Sequence, residues 1–300
     1  MNRKLVRQGV RALTVTVPSA WVKKNHLQAG DELNLSDMGN TLYLSTEKKQ
    51  ILQELTLDVR GLPKKLVTRS IGRAYQRGYD KIVVKFDTRE TMMTVKDKVP
   101  ELMGFELLNI KKNHLEIHAI TSNIDLDFDV ILRRAMLLLL DMTALCGEAW
   151  KDGDSVGLRS LEHQDIDVNK FTSFCLRHLN KSHKMMTFGS SSLYYLIENL
   201  EDLGDELKQL GIILQEVEVE KDTLHVLRDI HTFFQMSYDQ FYNPQRENIA
   251  KLFEKRNEIK QRMLDILKKQ NDSGIVRALL ASRIVLRLIY SMNAMRFDAL

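Results

Sequence analysis

The chain has 300 residues, 44% of them hydrophobic, and a formal net charge of +4 from 44 Lys and Arg against 40 Asp and Glu. That length and apolar content suit a globular chain of two or three domains. So mild a charge excludes a histone-like coating protein, and any nucleic-acid contact must come from a local patch. The most apolar run, Met136 to Leu140, is broken by Asp141 and is far too short to span a bilayer. Cys146 and Cys175 lie far apart in apolar surroundings with no CxxC pattern, which reads as buried thiols in a reducing compartment. Arg3, Lys4 and Arg7 are not followed by the apolar core of a secretory signal, so the expected localisation is cytoplasmic.

Residues 2–45 open with a basic strand and continue through Leu13, Val15 and Val17, which alternate with Thr14 and Thr16 at the period of a half-buried strand. Pro18 suits the first turn of a short helix, where its missing N–H is not needed. Trp21, Val22 and Leu27 give that turn an apolar side, while Lys23 and Lys24 point away. Gly30-Asp31 reads as a corner, and Leu33, Leu35, Gly39-Asn40, Leu42 and Leu44 as a closing hairpin. So short a unit cannot bury an adequate core alone, which predicts an intertwined homodimer with two basic edges side by side. Six Lys and Arg against Asp31, Glu32 and Asp37 leave +3 on residues 1–45 of each copy.

This segment resembles the SpoVT/AbrB-type DNA-binding domain, a swapped-hairpin β domain whose dimer grips double-stranded DNA. The resemblance rests on Arg3-Lys4, the strand ending at Pro18, the turn Trp21-Val22-Lys23-Lys24, Leu27 and the Gly30-Asp31 corner. It implies DNA contacts from Arg3, Lys4, Arg7, Arg11, Lys23 and Lys24. The other readings of these charges are a solvated strand edge that prevents aggregation, and a fold used for protein pairing only.

Residues 52–120 alternate strand and helix signals in the order βαβαββ. Strands are expected at Leu55–Val59, Lys81–Phe86, Phe105–Ile110 and His114–Ile120, and helices after Pro63 and over Arg89–Lys98. This predicts a small α+β domain with helices on one sheet face. Gly72 and Gly78 lack the spacing of a phosphate-binding loop. His114, Glu116 and His118 share one strand face, which is either a polar surface or an incomplete metal patch.

From residue 122 to 300 the pattern is helical, with no proline between Pro100 and Pro244. Six helices are expected, at about 126–150, 155–181, 192–213, 222–241, 245–270 and 274–297. Breaks fall at Asp152-Gly153-Asp154, Gly189-Ser190-Ser191-Ser192 and Asn271-Asp272-Ser273-Gly274, the serines reading as an N-cap cluster. Leu193, Leu196, Leu200, Leu203 and Leu207 form one stripe at helical period, the mark of packing in a bundle. Similar breaks suggest two three-helix units.

Beside that stripe stand Glu198, Glu201 and Asp205, the last two at i, i+4, where like charges repel unless neutralised. On the preceding helix Asp165 and Asn169 have the same spacing. The region resembles a PhoU domain, whose helices carry an acid-x-x-x-Asp pattern that binds metal clusters. Glu201, Leu203, Gly204 and Asp205 match the pattern and Asp165 matches the partner helix, while Asp202 and Asn169 depart from it. The resemblance implies a divalent magnesium, manganese or iron ion held by Asp165, Glu201 and Asp205 with Glu198; the other reading is a solvated acidic face aided by Lys208. In the second three-helix unit Arg287 and Ser291 replace the acid pair and Lys260 replaces the partner acid, so no metal is expected there.

Taken in order, the whole chain is similar to archaeal phosphate uptake regulators that join an AbrB-like domain to a PhoU-like one. The expected organisation is a multidomain chain: a DNA-binding and dimerisation domain at 1–48, a small α+β domain at 52–120 and a PhoU-like all-α bundle at 122–300. The function implied is transcriptional regulation of phosphate uptake, with a phosphate transporter or signalling protein as a further partner. The alternative is a dimeric adaptor that regulates a phosphate transporter without touching DNA. No nucleophile–base pair or complete metal triad points to an enzyme.

Overall fold

The computed structural model describes residues 2–37, 39–46, 52–120, 127–181 and 190–293. They fall into two units, 1–52 and 53–300. A small β region is followed by a mixed sheet and then a long helical region.

In the first unit β1 (Val6–Gln8) pairs with β2 (Ala12–Thr14) across a turn at Gly9, whose φ of 74° suits a residue without Cβ. The strand expected through Val17 stops at Thr14, because β1 offers only three residues to pair with. Helix α1 (Ser19–Lys24) follows Pro18, which stands just before the helix rather than in its first turn. The Pro18 carbonyl accepts from the N–H groups of Trp21 and Val22, both at 3.0 Å. The helix ends in a Schellman-type closure, with His26 N–H bonded to Lys23 O and Leu27 N–H to Val22 O. His26 has a φ of 52°, a conformation usually left to glycine, and Leu27 is thereby folded back beside Val22. The Gly30-Asp31 corner forms, with the Asp31 side chain accepting from Gln28 N–H at 2.5 Å. β3 (Asn34–Asp37) and β4 (Leu42–Ser45) then make the closing hairpin, with Leu35 opposite Leu44.

In the second unit β5 (Glu54–Asp58), α2 (Lys64–Gln76), β6 (Lys81–Lys85), α3 (Arg89–Lys98), β7 (Phe105–Ile110) and β8 (His114–Ala119) follow in the expected order. The sheet order is β5-β6-β8-β7; β5 and β6 are parallel across the α2 crossover and the other pairs antiparallel. Alternation puts Ile82, Val84, Leu115 and Ile117 on one face, where Val67, Ile71 and Tyr75 of α2 and Val95 of α3 bury them.

The helices are α4 (Phe128–Lys151), α5 (Ser155–Lys181), α6 (Ser190–Leu214), α7 (Lys221–Tyr242), α8 (Arg246–Leu267) and α9 (Ser273–Asn293). Asp154 and Asp272 cap α5 and α9 by accepting two backbone N–H groups each. Two of the expected boundaries change. Helix α6 begins at Ser190, so the three serines lie inside its first turn, and the residue before it lies outside the described residues. Helix α8 stops at Leu267 rather than 270, since Lys268 to Asn271 bring no apolar side chain to bury. The expected start of the bundle at 122, Gly189 and the last residues of the final helix also lie outside the described residues.

Leu196, Leu200, Leu203 and Leu207 are fully buried, with Leu193 packed at the edge, so the stripe is the inner face of α6. Helices α4–α6 and α7–α9 share one continuous core, α4 meeting α7 and α6 meeting α9. The α+β part is clamped to this bundle through α5. The Arg177 guanidinium donates to Tyr75 O at 3.0 Å, Tyr79 O at 2.7 Å and the buried Asp80 carboxylate at 2.7 Å. It also lies against the rings of Tyr75 and Phe105, and Lys181 bonds to the same carboxylate.

Candidate functional sites

The first unit presents its cations without a core behind them. Arg3 and Lys4 precede β1, Arg7 is central in β1, Arg11 closes the Gly9 turn, and Lys23 and Lys24 form the last turn of α1; all six are exposed. Arg7 pairs with Leu13 across the hairpin, so the two side chains share one sheet face. Not one described residue from 2 to 46 is buried. Val10 is 89% exposed, and Leu5, Leu13, Leu35 and Leu42 are each more than half exposed. A hairpin pair with that much apolar surface in water has not met the burial that stabilises a fold.

The second candidate lies where α5 faces α6. Gly204 lets the helices approach: a Cβ there would meet Asp165 Oδ1 at 3.0 Å and Val168 Cγ1 at 3.2 Å. Asp165 is only 3% exposed, and its Oδ2 accepts from the Lys208 ammonium at 2.5 Å. The same ammonium reaches Asp205, so one Lys bridges two of the expected acids. Glu198 turns the other way and is held by two guanidinium nitrogens of Arg73 on α2, at 2.6 and 3.1 Å. Glu201 lies between these pairs, and its Oε2, with Asp165 Oδ1 and Asn169 Oδ1, is buried without a hydrogen bond from the protein.

Burial raises the Asp165 carboxyl above its ordinary range and outweighs the opposing effect of Lys208. Burial, then the neighbouring Glu198, does the same to Glu201. The four acids are thus gathered along one helix–helix seam, but two protein cations hold three of them. Among the described residues no group of three or more His, Cys, Asp or Glu converges closely enough to hold a metal ion. As arranged, the residues do not fit a divalent ion, which would have to displace Lys208 and Arg73. Arg73 lies 125 positions from Glu198, and nothing local in the sequence announces that pair.

On the open face of the sheet, Glu116 is engaged by Asn109 and His118, both at 3.2 Å, and His114 stands 4.0 Å away. These bonds hold the Glu116 carboxyl below its ordinary range, Asn109 contributing most. The strand face is a self-satisfied polar surface.

No protein family, curated protein or solved structure matches the chain. No helix among the described residues is long and apolar enough to cross a membrane.

Proposed function

We propose that the chain is a DNA-binding transcriptional regulator of phosphate uptake, dimeric through its first unit, with a PhoU-like helical sensory or adaptor domain. The supporting observation is the first unit itself: six exposed cations on 46 residues in which no described side chain is buried. A second copy laid against Leu13, Leu35, Leu42 and Leu44 would supply the missing core and double the basic edge. Phosphate contacts from Lys and Arg would then set affinity and register, and fewer side chains would read bases. The helical part acts through protein contact, with a phosphate transporter or a signalling protein as the partner.

The adaptor reading, in which the first unit only dimerises, is favoured by one detail. Arg7 shares its face with Leu13, so one of the six cations points toward the apolar side.

A salt-titrated binding assay on genomic fragments, with the full chain, separates the two. Wild type should bind duplex DNA with a steep negative dependence of log K on log[salt]. Neutralising Arg3, Arg7, Arg11 and Lys23 to Gln should weaken binding and flatten that slope by about 1 for each DNA phosphate left without its cation. Unchanged affinity in the quadruple variant would transfer the case to the adaptor.

A further inference from the structure

The geometry points to an anion site between α8 and α9 that takes a small oxyanion of the phosphate class. A cleft of about 270 Å³ is lined by Arg256 and Lys260 of α8, Arg283 and Arg287 of α9, and the apolar Ile284 and Leu286. Each cation pair stands at i, i+4 on its own helix, so each stacks two like charges one turn apart, an arrangement that repels. The fold leaves that repulsion largely unanswered. Lys260, Arg283 and Arg287 form no ion pair or hydrogen bond among the described residues. Arg256 is packed over the Tyr290 ring, 4.1 Å from its centroid, which fixes the guanidinium without neutralising it. Asp202 and Glu206 of α6 feel the charge of Arg287, and neither is bonded to it.

Four cations around a concavity of this size match a compact polyvalent anion. Three are guanidiniums, whose planar forks donate to two oxygens at once, the geometry of phosphate recognition. An extended nucleic-acid backbone would instead need a charged stripe along the surface. The position within the bundle is also informative. The first three-helix unit carries an acidic seam where α5 faces α6, and the second carries this basic cleft where α8 faces α9. This charge geometry is independent of DNA binding by the first unit, so either idea survives the failure of the other.

The test is thermal unfolding and calorimetric titration of the full chain with inorganic phosphate and with pyrophosphate, against chloride at matched ionic strength. Both phosphates should raise Tm by about 2–4 °C near saturation, with pyrophosphate acting at lower concentration. The double variant Arg283→Gln, Arg287→Gln should lose the response and melt no lower than wild type without phosphate, since it removes repulsion. If that variant does not fold, Lys260→Gln, an exposed single change, should weaken pyrophosphate binding several-fold. The proposal is overturned if chloride reproduces the shift, or if the response persists in the folded variants. It is also overturned if a short DNA duplex, and neither phosphate, gives a response that the variants abolish.

Discussion

Glu201 is a carboxylate kept in a place that disfavours its charge. Its folded-state pKa is raised above the ordinary 4.5, by burial first and by Glu198 second. The folded chain therefore holds a proton that the unfolded chain has released, and stability falls as pH rises from 4.5 through the folded value. Glu201→Gln should raise Tm at pH 7 and flatten the melting profile over that window, as read by calorimetry at several pH values; a lower Tm would show that the charge is stabilising. Gly204 is the neighbouring constraint. Gly204→Ala should destabilise the bundle by about 1–3 kcal/mol in urea unfolding, because Asp165 and Val168 must both give way. The thiols carry a simpler expectation. Burial pushes Cys146 up to about 12 and Cys175 upward as well, so a thiol reagent at pH 8 should label neither until the chain is unfolded.

At the level of elements, the regular parts were legible because each rests on a local signal. The βαβαββ order follows from runs of alternating apolar residues, and the α6 stripe from Leu196 to Leu207 from its period. The breaks at Asp152-Gly153-Asp154 and Asn271-Asp272-Ser273-Gly274 were legible as turn-forming clusters, while the capping by Asp154 and Asp272 is seen only in the structure. What stayed hidden is long-range pairing: Arg177 meets Asp80 across 97 positions, and no period encodes that. The acidic residues of the seam and the nearby Lys208 were legible from their spacing, but the hold of Arg73 on Glu198 was not. His26 was hidden too, since a positive φ on a non-glycine residue is fixed by the closure of α1 and not by composition. Arg177→Ala should cost about 3–5 kcal/mol, because it leaves Asp80 and two carbonyls buried with fewer partners. Chemical denaturation followed by circular dichroism should then show the sheet part unfolding before the helices.

At the scale of the molecule, the two units differ in how complete they are. Residues 53–300 have a buried core in the sheet part and a continuous one in the helices. The first unit has no buried described residue. If a second copy supplies its core, replacing Leu35 and Leu44 with Asp should turn a dimer into a monomer in sedimentation analysis, with helical content almost unchanged. A wild-type chain that sediments as a monomer at micromolar concentration would remove the basis for the paired DNA edge.

If the first unit folds only on meeting its copy, the abundance of the chain becomes a variable in its own right. Below the dissociation constant of that dimer, residues 2–46 would present extended apolar segments that proteases cleave, while residues 53–300 stay intact. Synthesis rate would then set lifetime as well as occupancy: scarce chains would be trimmed to the sheet-and-helix unit and abundant ones would persist whole. Limited proteolysis across a dilution series should show this directly, with a fragment beginning near residue 53 accumulating as the chain is diluted.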